Sequence, residues 1–294
     1  MMATSDSAKL NLRHPYADGI AVLATMHGKE QAIAPAFARA LGMRIVVPAS
    51  IDTDALGTFT GEIPRHGTML EVAIRKARLG MKIEGRPIGI ASEGTFARNP
   101  QMPVMPAGIE LMVLVDDERG FVISESLISL STNFSHVAVS EVFQAEDYLA
   151  AAGFPEHAVV VKANGEPGAC TGKGIVDRES LRCAVQAAAA LSSDGLARLE
   201  SDMRAHYNPT RMATIGELAN RLARRLARLC PNCGAPGYDV VEVRRGLPCG
   251  TCGTPTELVS AEIQRCNPCN FEEVAAPGHG LTFASTLHCP ECNP

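Results

Sequence analysis

Eight of the chain's ten cysteines fall as four Cys-x-x-Cys pairs within the last 65 of 294 residues: Cys230/Cys233, Cys249/Cys252, Cys266/Cys269 and Cys289/Cys292. A CxxC turn presents two sulfurs to one metal, and two such turns complete a tetrahedral four-thiolate shell. The spacing therefore predicts two zinc sites in a small C-terminal double zinc-ribbon module, residues 230–294, rather than a disulfide framework. Strands at 238–243 and 257–263 read as ribbon hairpins between the knuckles. Pairing in chain order, the first knuckle with the second and the third with the fourth, is the expected arrangement; crossed and nested pairings fit the same spacing. A closed shell leaves no open position for chemistry, so the zinc is expected to be structural and its removal to unfold the module.

Charge narrows the partners. Residues 230–294 carry three basic and seven acidic side chains, a net −4 that would approach −8 with two Zn²⁺ held by eight thiolates. Such a surface repels a polyanion, because phosphate neutralisation by Lys and Arg supplies most non-specific affinity for nucleic acid. With no Trp in the chain, base-stacking platforms are also scarce. Nucleic acid is not an expected partner; a protein docking through the ribbons is. No apolar run reaches the roughly 18 residues of a membrane span, and the first residues lack the apolar stretch of a secretory signal. The expectation is a soluble, cytoplasmic protein with no membrane contact.

Residues 17–229 alternate strand and helix patterns and predict an α/β domain: a mixed sheet with a parallel βαβαβ start and flanking helices. A buried strand at 19–26 leads into a helix at 29–41 whose Ile33, Phe37 and Leu41 recur at helical spacing. A strand at 44–47, a helix at 68–79 stopped by Gly80, a strand at 87–91 and a hairpin at 110–124 follow. Helices are expected at 178–191 and 214–229. The Gly-rich segment 165–174 lacks the first glycine and the hydroxyl residue of a phosphate loop and reads as a connection.

In parallel sheets ligands collect outside the carboxyl ends of strands. Here those ends carry Thr25-Met-His-Gly-Lys29-Glu30, Asp52-Thr-Asp54 and Ser92-Glu-Gly-Thr95. A lysine and several carboxylates in one crevice suit a phosphate ester with a divalent cation such as Mg²⁺. Glu93 follows an apolar strand directly, where an acid is costly without a metal or basic partner. Lys29 opposes the dipole of the helix it begins, which a bound phosphate would offset. Glu71 reads in two ways, because Thr68-Met-Leu-Glu71 is also a capping box.

These segments resemble a known arrangement. T-M-H-G-K-E, G-T-M-L-E-V-A-I-R-K-A and I-A-S-E-G-T-F, within residues 20–96, are similar to the inosine-triphosphate pyrophosphatase superfamily. The resemblance implies that Lys29 contacts phosphate, that Glu71 and Glu93 bind metal and that Lys76 supports the phosphates. The later N-P-T-R-M-A segment is similar to one that contacts the base, which would put Arg211 there. Departures are His27-Gly28 in the first loop, S-E-G in the acidic loop and no Asn after Glu71. With its phrases DTDALGTFTGEIPRHGT and DMRAHYNPTRM and its cysteine-rich tail, the whole chain more closely resembles an uncharacterised bacterial domain-of-unknown-function family, which implies no activity.

Two functions follow as expectations. The first is a Mg²⁺-dependent hydrolase or pyrophosphatase acting on a nucleotide or related phosphoanhydride, with Lys29 and Glu93 catalytic and Asp52 as general base. The second is a non-catalytic protein that binds an anionic ligand in the α/β domain and a protein partner through the ribbons.

Overall fold

The computed structural model describes residues 13–53, 55, 57, 66–98, 105–165 and 169–294. The chain divides into two compact units, Ile20–Arg39 with Met43–Leu222, and Ala223–Pro294 with Ala40–Gly42 and the described residues up to Gly19.

The first unit holds two sheets. β1 (Ile20–Leu23), α1 (Glu30–Leu41), β2 (Arg44–Val46), α2 (Met69–Glu84) and β3 (Ile88–Arg98) form the expected βαβαβ start, with β1 parallel to both β2 and β3. Then β4 (Pro106–Asp116) and β5 (Phe121–Ser129) add antiparallel strands, giving the order β2-β1-β3-β4-β5. The sheet is mixed because β4 follows β3 without a helical crossover, whereas the earlier parallel strands need one. Next come β6 (His136–Val139), α3 (Glu146–Ala152), β7 (Val159–Ala163), β8 (Cys170–Ile175), α4 (Arg178–Leu191), β9 (Ala197–Ser201) and α5 (Pro209–Ala227). Their strands pair antiparallel in the order β6-β9-β7-β8. Leu181, Val185 and Ala188 of α4 bury against Val159, Val161 and Leu199 of this sheet.

Small residues seat α2 on the first sheet. Ala73, Ala77 and Met81 pack on Ala24, Ala91, Val113 and Val115, and a Cβ on Gly80 would come within 3.1 Å of Val22 and 3.3 Å of Ala24. Gly80 is thus a point of close helix–strand approach, and the helix runs past it to Glu84. The stop is Gly85, left-handed at φ 60°, as expected of a residue without a Cβ at that position. Of the Gly-rich segment, 166–168 lie outside the described residues; Cys170–Ile175 pairs with β7 as a strand. The last helix begins at Pro209, earlier than its amphipathic pattern indicated, because Pro is tolerated in a first turn whose N–H groups lack partners.

In the second unit β10 (Asp239–Arg245), β11 (Val259–Arg265) and β12 (Glu272–Ala275) form an antiparallel three-stranded sheet. No helix of the described residues is long and apolar enough to cross a membrane.

Candidate functional sites

The C-terminal unit gathers its cysteines into two groups, Cys230/Cys233 with Cys266/Cys269, and Cys249/Cys252 with Cys289/Cys292, the four sulfurs of each lying within 4.8 Å of one another. The pairing is crossed, not sequential as expected. The hairpin explains it. Asp239 pairs with Arg265, so β11 returns the third knuckle to the first, while the intervening turn holds the second knuckle at the far end. Seven extended residues separate the two ends by about 20 Å, too far for the first and second knuckles to share an ion. β12 then runs back antiparallel to β11, and the Cys249 to Ala284 bridge brings the fourth knuckle to the second.

The knuckles share one backbone turn. The N–H four residues after each leading cysteine (Gly234, Gly253, Asn270, Asn293) donates to that cysteine's carbonyl at 2.9 Å. Gly234 and Gly253, and the non-glycine Asn270, take left-handed backbone in this turn. Neighbouring sulfurs of opposite knuckles stand 3.5–4.0 Å apart, against about 3.8 Å for a tetrahedron with metal–sulfur bonds of about 2.3 Å. Backbone N–H groups of Thr251 and Cys292 donate to Cys249 and Cys289 sulfurs at 3.4 Å, and backbone hydrogen bonds from Cys252 and Thr251 hold the Cys249 thiol below its ordinary value. The donor set fits a metal ion in each group, with every position of the shell taken by protein. None of the cysteines is in a disulfide.

The second site lies in the α/β unit, past the end of β1. That strand stops at Leu23, opposite Ile90, while β3 continues to Arg98 paired with β4. Beyond Ile90 the first-strand edge of β3 therefore opens into a cleft, lined by Thr25, His27, Lys29, Thr53, Lys76, Ser92 and Glu93. Lys29 immediately precedes α1, its carbonyl accepting from the Ile33 N–H. Its Nζ donates to the Ser92 carbonyl at 3.1 Å and the Ser92 hydroxyl at 3.0 Å, satisfying an edge carbonyl that the missing strand leaves open. From the other wall, Lys76 of α2 meets Glu93 at 2.5 Å, and the side chains are only 10% and 3% exposed.

Electrostatics set the site's preference. Burial, with Arg211 next in weight, pulls the Lys29 ammonium down to about 8 from 10.5. Burial and then the charges of Lys29, His206, Arg211 and Arg204 push the His27 imidazole down to about 3, so it is neutral at physiological pH. Among the described residues two lysines face one carboxylate here, and the surroundings disfavour any further cation. An anion fits that field.

Lys29, Lys76 and Glu93, all named from the sequence, line one cleft. Three other residues do not join it. Glu71 is exposed and closes the capping box, accepting from Thr68 N at 2.8 Å while its own N–H donates to Thr68 Oγ1 at 3.2 Å. The Thr68 N–H and hydroxyl, both donating to Glu71 Oε2, hold its carboxyl below the ordinary range. Five helical positions rotate a side chain by about 140°, which separates Glu71 from Lys76. Asp52 is exposed and accepts from the Ala55 N–H at 3.1 Å, the turn-forming role of an Asp in a loop. Arg211 is buried, and its Nε donates to Glu110 at 2.6 Å and its Nη1 to the Met203 carbonyl, so it braces α5 on β4 instead of reaching a ligand. Among the described residues Glu93 is the only carboxylate lining the cleft, and it is ion-paired. This donor set does not fit a Mg²⁺ ion held by Glu71 and Glu93.

Sequence reading missed Glu110, whose carboxylate sits at the head of an apolar strand pattern, and the ring stack of His27 on His206, 4.9 Å apart and 13° from parallel. The acid in the run E-L-M-V-L-V was the available signal for the first.

The fold and sites define a mixed α/β protein with a crossed pair of C-terminal four-cysteine groups. The model of a domain of unknown function, DUF6671, matches residues 76–294, about three quarters of the chain. The chain belongs to that family. The matched span takes in Lys76, Glu93, Arg211 and all eight knuckle cysteines. No curated protein matches the sequence.

Proposed function

We propose that the α/β unit binds a small phosphate-bearing or similar anionic ligand in the cleft past β1, and that the C-terminal unit holds two zinc ions as structural elements. One observation carries the first part: two buried lysines, Lys29 and Lys76, line a cleft with a single carboxylate among the described residues. Charged side chains are seldom buried without compensation. Glu93 compensates Lys76; the hydrogen bonds of Lys29 go to neutral Ser92, and an anion would supply the charge it lacks. The hydroxyls of Thr25, Thr53 and Ser92 at the same wall add donors of the kind phosphate oxygens accept. For zinc, four thiolates at tetrahedral spacing are the donor set this ion takes in closed structural sites.

Thermal unfolding in inorganic phosphate, with chloride at matched ionic strength as the reference, tests the anion site. A ligand that binds the folded chain alone stabilises it by about 2.7 kcal/mol at a hundred times its dissociation constant. The melting temperature should rise with phosphate in the native protein and fail to rise in Lys29→Met. An equal rise in both would remove the reading.

A further inference from the structure

We propose that Lys29 is a carbonyl-capturing amine, and that the ligand of the cleft is an anionic aldehyde or ketone held as an imine on its Nζ. The inference rests on the anion-binding reading of this cleft and adds a reaction to it.

The two lysines of the cleft differ in what they touch. Lys76 is held in an ion pair with Glu93 at 2.5 Å. Lys29, equally buried, has no carboxylate at ion-pair distance among the described residues; both of its hydrogen bonds end on Ser92, at the carbonyl and the hydroxyl. A neutral amine has two hydrogens and one lone pair. Two donations to Ser92 consume both hydrogens and leave the lone pair free on the side away from Ser92. An ammonium in the same place keeps a third hydrogen with no partner among the described residues of this wall, so the geometry enlarges the share of uncharged amine over that of an ordinary lysine. Burial and the nearby Arg211 act in the same direction and bring Lys29 to about 8. The free amine is then on the order of 300-fold more populated at neutral pH than in an ordinary lysine. Desolvation beside a second cation is a recognised route to an imine-forming lysine.

In the step itself the Nζ lone pair forms a bond to the carbonyl carbon while the C=O π pair moves to oxygen. The proton lost by nitrogen goes to that oxygen, giving a carbinolamine. The second N–H proton leaves as the C–O bond breaks, and one water departs for each imine formed. No oxidant or reductant takes part. The Lys76–Glu93 pair lines the same cleft, where it can relay the proton between nitrogen and oxygen.

The test uses the full-length, metal-loaded protein and pyridoxal 5′-phosphate, an aldehyde that carries a phosphate, followed by borohydride reduction and peptide mapping. The reduced adduct should form on Lys29 about 100-fold faster than on the exposed Lys82, in line with the greater free-amine population. Excess inorganic phosphate should suppress it, pyridoxal without phosphate should give far less, and Lys29→Arg should abolish it. Labelling spread evenly over the lysines, or centred on one other than Lys29, overturns the proposal. Thermal unfolding of the native protein in inorganic phosphate separates the two ways to fail. If phosphate stabilises the chain and Lys29 stays unlabelled, the imine is wrong and the anion site stands; if neither occurs, both are wrong.

Discussion

At the scale of single residues, burial decides which charges matter. Arg211 and Glu110 are each about 1% exposed and bonded at 2.6 Å. Removing one partner strands a buried charge, which typically costs about 3–5 kcal/mol, whereas replacing both by apolar groups costs much less. Arg211→Met should therefore be strongly destabilised in urea and the Arg211→Met/Glu110→Leu pair largely restored; additive losses would contradict this. Gly94 lies directly under the same pair, its absent Cβ 2.6 Å from both Arg211 Nη2 and Glu110 Oε1. Gly94→Ala should cost about 1–3 kcal/mol by overpacking, read from the same denaturation curves. Lys29 makes a prediction about pH. Its folded-state value is below the unfolded one, so between about 8 and 10.5 the unfolded chain binds more protons, and stability rises with pH across that window. Lys29→Met should flatten that rise in melts taken from pH 7 to 10.5; an unchanged slope would show that Lys29 does not titrate as described.

At the scale of elements, the strands and helices of the βαβαβ start were legible because apolar periodicity and strand-end polarity coincide there. Glu71 was not, since Thr-x-x-Glu serves a cap and a ligand equally well on paper and only the direction of its side chain separates them. Thr68→Ala should cost about 1 kcal/mol through the lost cap, with phosphate stabilisation unaltered. Gly80 misled for a related reason: a glycine inside a helix pattern marks either an end or a close approach, and Val22 beneath it makes it the latter. Cysteine positions were legible and their pairing was not, because it depends on the Asp239–Arg265 register of a hairpin rather than on spacing. Cys233→Ser with Cys269→Ser removes ligands from one crossed group only. Bound zinc, counted by elemental analysis, should fall from two ions to one; a fall to none is what sequential pairing would give.

At the scale of the whole molecule, the chain joins two solutions to stability. The α/β unit rests on apolar layers such as Ala73, Ala77 and Val113. The C-terminal unit has a small apolar cluster around Tyr238 and Phe271, and small domains of this kind depend on metal for their folding energy. Chelation should therefore abolish the dispersed amide signals of residues 230–294. For the other unit we propose an anion between Lys29 and Lys76, in the cleft that β3 leaves open past Leu23. The most direct test is a crystal of the full chain soaked in tungstate, an electron-dense phosphate mimic located by anomalous scattering. The account predicts a peak within about 4 Å of both lysine Nζ atoms, the ordinary reach of an ion pair; a peak elsewhere on the molecule with this cleft empty would contradict it.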